Sequence, residues 1–206
     1  MGFQNLETTG NRLSASSTSS ISGITRDLAV PLGDPGTVNY MSVLLRPEGI
    51  LNQGLFNGFF GVTLQTGGTE AFIGKAGGGS LNEYVLENRG GADQVSTDVL
   101  TIVDQPTLLV LKAEHGTFST FLELFVDPVP GLGEPESSQA SRRIVNEPVV
   151  GLTAYSTGAY SLDEIRVGTT FADVVPIPEP SSDVILVTVL VLVTCCGRRP
   201  RRNWRI

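Results

Sequence analysis

The sequence predicts an all-β fold, an antiparallel sandwich, followed by one apolar C-terminal segment that enters a membrane. Three observations carry this. The composition is rich in Gly, Pro, Ser, Thr, Val and Leu and poor in Lys, which favours short strands joined by turns. Apolar and polar residues alternate with the period of a half-buried strand. A charge-free run, 184–196, is followed directly by clustered arginines.

At 206 residues the chain fits one compact domain with appendages better than two domains. Residues 1–24 form a polar N-terminal segment, with Ser and Thr filling most of 14–20. No apolar core of a secretory signal peptide is visible in 1–30. The expectation is therefore a start assigned too far downstream, or a chain that is not exported.

The first strand is expected from Tyr40, with Met41, Val43 and Leu45 on one face. Next come 59–64, where Phe60, Val62 and Leu64 share a face, then 71–73 and 84–86. In 108–114, Leu109, Leu111 and Ala113 point inward while Lys112 and Glu114 point out; in 120–126, Leu122, Leu124 and Val126 oppose Glu123. Strands over 149–155 and 165–167 complete the set. The intervals hold chain-reversing residues such as Gly67-Gly68, Gly77-Gly78-Gly79, Gly90-Gly91 and Asp127-Pro128. Seven or eight strands so separated suggest a sandwich. The long polar stretch 131–146 reads as an exposed connection, and the sandwich is expected to end near Asp173.

Charge divides the chain. Residues 1–177 hold nineteen acidic against nine basic side chains, and 178–206 hold five Arg against Glu179 and Asp183. An acidic body without a basic stripe opposes the electrostatic attraction that dominates nucleic-acid binding, so no nucleic-acid partner is expected. Both cysteines, Cys195 and Cys196, lie in the apolar tail and read as small apolar filler. The body therefore has no disulfide and no thiolate nucleophile.

Residues 174–183 form a Pro-rich linker, since Pro176, Pro178 and Pro180 resist helix and favour an extended spacer. The run 184–196 would measure roughly 20 Å as a helix against a hydrocarbon layer of about 30 Å. Flanking residues extend it, and Arg side chains can snorkel to the interface. A buried core segment is the alternative, but nothing follows to cover it. The membrane segment is placed at 184–197 and an Arg-rich cytoplasmic tail at 198–206, with the body outside, as the positive-inside rule requires.

Pro178-Glu179-Pro180, the short hydrophobic stretch and the terminal cluster Arg198, Arg199, Arg201 and Arg202 resemble, in that order, the three parts of a PEP-CTERM sorting signal. The resemblance implies an exosortase partner that recognises Pro178, Glu179 and Pro180, processes the tail and passes the body to the cell surface or exopolysaccharide layer. The segments 40–47, 72–75, 109–112, 124–128 and above all Leu162-Asp163-Glu164-Ile165-Arg166-Val167-Gly168 are similar to concanavalin A-like, laminin G-like jelly-roll domains. This likeness spans roughly 25–173 and implies a jelly roll with a structural, adhesive or glycan-binding role. The alternatives are a lectin-fold enzyme acting on polysaccharide and a truncated, nonfunctional copy.

No catalytic residue is expected. A retaining glycosidase needs two carboxylates about 5–5.5 Å apart, and Glu123 and Asp127 read instead as a surface acid and a turn residue. His115, the one histidine, lacks the partners of a Ser–His–Asp relay or zinc site and reads as a hairpin residue. Gly74-Lys75-Ala76-Gly77 has the wrong order for a phosphate loop. No cofactor is expected: Asp163 and Glu164 could be weighed as calcium ligands, but calcium takes six to eight oxygens and no dense ligand loop occurs. Tyr84, Tyr155 and Tyr160 are the candidates for stacking on a sugar.

Overall fold

A computed structural model describes residues 12–16, 20–68, 70–78, 82–88 and 92–175. In chain order these form β1 (Leu13–Ala15), β2 (Ser22–Leu32), β3 (Val38–Pro47), β4 (Phe60–Gln65), β5 (Ala71–Lys75), β6 (Glu83–Asn88), β7 (Ala92–Leu100), β8 (Thr107–His115), β9 (Ser119–Val126), β10 (Ala140–Val145), β11 (Val149–Ser156), β12 (Tyr160–Gly168) and a short helix α1 (Phe171–Val174). The strands make two six-stranded sheets, ordered β1-β12-β3-β8-β9-β10 and β2-β11-β4-β5-β6-β7. Every pairing is antiparallel. The molecule is an antiparallel jelly-roll sandwich, as the alternation of its central strands requires.

The core lies between the sheets. Met41, Val43, Leu45, Leu109, Leu111, Leu122 and Leu124 from one sheet meet Phe60, Val62, Leu64, Ile73, Tyr84, Leu86 and Ala154 from the other. These are the inward faces expected from the sequence for β3, β4, β8 and β9. Tyr160 stacks on Phe60 with ring centroids 5.5 Å apart, joining β12 to the opposite sheet.

All eight expected strands are present, and four more flank them. β1 and β10 are the edges of one sheet, β2 and β7 of the other. Hence residues before 25 belong to the sheets: Leu13–Ala15 pairs with β12, and Ser22 opens β2. The stretch 131–146 is not an exposed connection throughout, because Ala140–Val145 pairs with β9. Its inward positions are Ala140, Arg142 and Ile144, and the arginine interrupts the apolar text that would have marked a strand. Pro31 sits in β2, where an edge leaves its missing N–H without consequence.

The helix α1 closes the outer face of the first sheet. Phe171 meets Tyr40 and Phe125 edge-on, each at 6.1 Å, and Val174 and Val175 pack with Leu44, Leu108 and Val110. A capping box starts the helix: Thr170 Oγ1 accepts from Asp173 N, and Asp173 Oδ2 accepts from Thr170 N at 2.8 Å. Ser42 Oγ donates to Val174 O at 2.8 Å, fixing the end of the helix over the middle of β3. Beside it, Lys112 pairs with Glu114, Glu123 and Glu134.

Among the described residues no helix is long and apolar enough to cross a membrane. The expected sorting motif Pro178-Glu179-Pro180, the expected membrane segment 184–197 and Arg198, Arg199, Arg201 and Arg202 all lie outside the described residues.

Candidate functional site

With one outer face occupied by α1 and the Lys112 cluster, the outer face of the β2-β11-β4-β5-β6-β7 sheet is the one left for a ligand. Register builds it in rows. Thr25, Thr153, Thr63, Phe72 and Glu87 are successive partners across five strands. The next row is Gly23, Tyr155, Gly61, Gly74 and Val85. Because Ile73, Val62 and Leu86 point into the core, alternation turns both rows outward.

The face is stepped. At the β5–β6 side Phe72 lies across Gly61 and Gly74, where an added Cβ would collide with backbone carbonyls and the Phe72 ring. Phe59 meets Phe72 edge-on at 6.1 Å, and Ala76 and Val85 complete this apolar half. At the β2–β11 side the surface opens: Thr25 and Asp27 are exposed and Tyr155 is half-buried. The hydroxyls of Thr25 and Thr153 are 2.8 Å apart. Glu87 ends the first row, buried, accepting from Gln94 Nε2 at 2.6 Å; burial raises its carboxyl above the usual carboxylate range. Thr63, Thr153, Phe72 and Glu87 are themselves buried, so the groups this face offers a ligand are the half-buried Phe59 and Tyr155 rings beside the exposed Thr25 and Asp27, apolar on one side and polar on the other.

Of the three tyrosines singled out from sequence, only Tyr155 reaches this face. Tyr84 and Tyr160 are core residues, fully or nearly fully buried, because in their strands the ring falls on the inward position. Phe59, Phe72, Thr63, Thr153 and Glu87 were missed. The dyad period marked 59–64 and 71–73 as strands without saying which face would meet a ligand.

The acids considered for catalysis or calcium do not converge. Glu123 is tied to Lys112 at 3.4 Å and to Ser138. Asp127 turns back to accept from Leu108 N at 2.8 Å; burial pushes its carboxyl up to about 6. Asp163 and Glu164 form a bulge inside β12, with Asp163 Oδ1 accepting from Glu164 N and Glu164 paired to Arg166 at 2.8 Å. Among the described residues no three His, Cys, Asp or Glu side chains come together as a metal site.

His115 ends β8 but is only 4% exposed. Its Nδ1 lies 3.1 Å from Thr120 Oγ1 and 3.2 Å from Asn146 Oδ1, and Asn146 Nδ2 donates to Gly33 O at 3.2 Å. His115 Nε2 and Asn39 Oδ1 find no partner among the described residues. Both side chains line a small pocket of about 30 Å³ with Leu64, Leu111 and Val149. That volume suits water and nothing larger.

Lys75 is a further buried ionisable group. It is fully enclosed, and its ammonium donates to Asn57 O at 2.6 Å and Ala76 O at 3.3 Å. Burial pulls it down to about 8. It braces a loop rather than a phosphate.

No family model matches the chain, and no curated protein matches it in sequence. The likeness of 178–206 to a sorting signal therefore rests on those residues alone. Among solved structures, an endo-β-1,4-glucuronan lyase from the fungus Trichoderma reesei is similar at a TM-score of 0.50 and 11% identity, over 85% of this chain and 93% of that one. The binding domain of botulinum neurotoxin serotype D gives 0.45 and 9%, over 88% and 42%. The Caenorhabditis elegans galectin LEC-6 gives 0.38 and 13%, over 82% and 99%. At such identities the lyase likeness shows the sandwich fold alone, and the two weaker ones add nothing to it.

Proposed function

We propose that the chain is an exported surface protein whose sandwich is a non-catalytic, glycan-associated or adhesive module carried by a C-terminal sorting tail. The observation behind the binding role is the stepped outer face, where the half-buried rings of Phe59 and Tyr155 and the exposed Thr25 rim a floor formed by the buried Phe72, Thr63 and Thr153. Pyranose rings offer an apolar patch of C–H groups edged by hydroxyls, which such a face complements. In the tail, Pro178, Glu179 and Pro180 serve as the exosortase recognition motif, and Arg198, Arg199, Arg201 and Arg202 hold the cytoplasmic side.

Affinity electrophoresis through gels containing neutral or acidic exopolysaccharides tests the face. Retardation that Tyr155→Ala and Thr25→Val abolish, with folding intact, is the expected result; migration unaffected by every polysaccharide sinks the binding role. Mass spectrometry of the mature C-terminus in an exosortase-containing host tests the tail. A surface product lacking the residues after Pro180 is expected, and a full-length cytosolic chain overturns it.

A second reading, a polysaccharide-active enzyme, is favoured by one observation: Glu87 lies on the same face with its carboxyl raised by burial. The similar lyase, as its name states, acts on glucuronan. Release of oligosaccharides that Glu87→Gln abolishes would establish that reading over the first.

A further inference from the structure

The loops of the sandwich divide between two ends. At the His115 end lie the connections β2–β3, β4–β5, β8–β9 and β10–β11; at the other lie β3–β4, β5–β6, β7–β8, β9–β10 and β11–β12. This second end carries exposed apolar side chains close together: Ile50, Leu55 and Phe56 between β3 and β4, Leu100 at the end of β7, and Ile102 and Val103 after it. Phe56 is 63% exposed and Ile50 67%.

Backbone bonds gather these loops. Asp104 N donates to Pro47 O at 2.9 Å, Thr101 N to Asn82 O at 2.7 Å, and Gly78 N to Phe56 O at 2.9 Å. Lys75 Nζ holds Asn57 O, and Thr157 Oγ1 donates to Leu55 O. Phe56 and Asn57 both take the left-handed conformation, with φ of 51° and 64°, which non-glycine residues adopt only when their surroundings enforce it. The fold thus presents Phe56 outward instead of burying it.

We propose that this end of the sandwich docks on the interface of a zwitterionic lipid bilayer, with Phe56 and Ile102 among the inserted side chains. The proposal rests on the reading of 184–197 as a membrane segment. The chain leaves the described structure at Val175, pinned over Ser42, about 17 Å along β3 from Pro47 at the usual strand rise. The eight residues 176–183 span up to about 27 Å, so the tail reaches this end. It reaches the His115 end equally well, but among the described loop residues there Phe118 alone is an exposed large apolar side chain, against the six named at this end. The loops 48–59, 76–82 and 100–106 contain no Lys or Arg and two carboxylates, Glu48 and Asp104, so anionic lipid repels them and uncharged interface receives them.

The test uses full-length chain in phosphatidylcholine vesicles whose acyl chains carry bromine quenchers. Trp204, the one native tryptophan, reports the tail. In a Trp204→Phe background, Phe56→Trp and Ile102→Trp report the docking end and Phe118→Trp the opposite end. Docking predicts emission reduced about twofold at positions 56 and 102 by bromines near the headgroup boundary, no change at 118, and weaker quenching once anionic lipid is added. Quenching of Trp204 with none at 56 or 102 overturns the docking and leaves the tail reading intact. Equal quenching at 118 overturns it in favour of unoriented adsorption. Quenching at 56 and 102 without Trp204 supports the docking and removes the tail as its cause; quenching nowhere overturns both.

Discussion

Lys75 Nζ lies 2.6 Å from the carbonyl oxygen of Asn57, and this bond ties the end of β5 to a left-handed turn eighteen residues earlier. The ammonium has carbonyl partners and is fully buried, so the folded state binds its proton more weakly than the unfolded chain does.

That difference fixes a pH dependence. With the folded group near 8 and the unfolded group near 10.4, the unfolded chain holds more protons between those values, and stability rises with pH there. Urea denaturation should show a gain of about 1 kcal/mol between about pH 8 and 9, before the tyrosines of the unfolded chain, near about 10, ionise appreciably. Lys75→Met should flatten this rise; a flat wild-type profile would show that the ammonium is better solvated than its enclosure implies.

Asp127 gives the opposite slope. Its carboxyl is raised to about 6 by burial, so between about pH 4 and 6 the folded state holds the extra proton and stability falls as pH rises. Asp127→Asn keeps an acceptor for Leu108 N and suits the positive φ of 50°. It should stabilise by roughly 1–3 kcal/mol more at pH 7 than at pH 4, measured by chemical denaturation at both.

Gly61→Ala tests the stepped face. A Cβ there meets Ile73 O and the Phe72 ring, and the carbonyl belongs to a paired strand that cannot yield. Overpacking of about 2–3 kcal/mol is expected, lowering Tm by roughly 4–12 °C for a chain of this size. Gly67→Ala, with no atom near its Cβ, is the control and should change Tm little.

Asn146→Ala removes the amide that joins Thr120, His115 and Gly33. Three bonds go and a buried imidazole is left short of partners, so a loss of about 2–3 kcal/mol is expected. Faster amide exchange should appear first at Gly36, whose N–H bonds His115 O.

The central strands were legible and the edges were not, for one physical reason. β3, β4, β8 and β9 have neighbours on both sides and bury their inward side chains deeply, so Met41-x-Val43-x-Leu45 and Leu122-x-Leu124-x-Val126 are written out in full. β1, β2, β7 and β10 bury little, and β2 spends only Leu28 and Leu32 on the core among Thr25, Arg26 and Asp27. The candidate face was equally obscure. Phe72 and Thr63 occupy outward positions that in an ordinary half-exposed sheet would be solvated, and only the register beside Gly61 and Gly74 turns them into one surface. His115 looked like a turn residue because its partners Thr120 and Asn146 come from β9 and the β10–β11 connection, which the sequence does not bring together.

The bond from Ser42 to Val174 sets how the molecule bears tension. A pull on the chain beyond Val175 first loads α1, a single turn held by Phe171, two valines and one hydroxyl. Behind it stands β12, laced to β1 on one side and β3 on the other. The helix would peel first, releasing a short length of slack before any sheet is strained, so a load applied beyond Val175 reaches the sandwich only after α1 has given way.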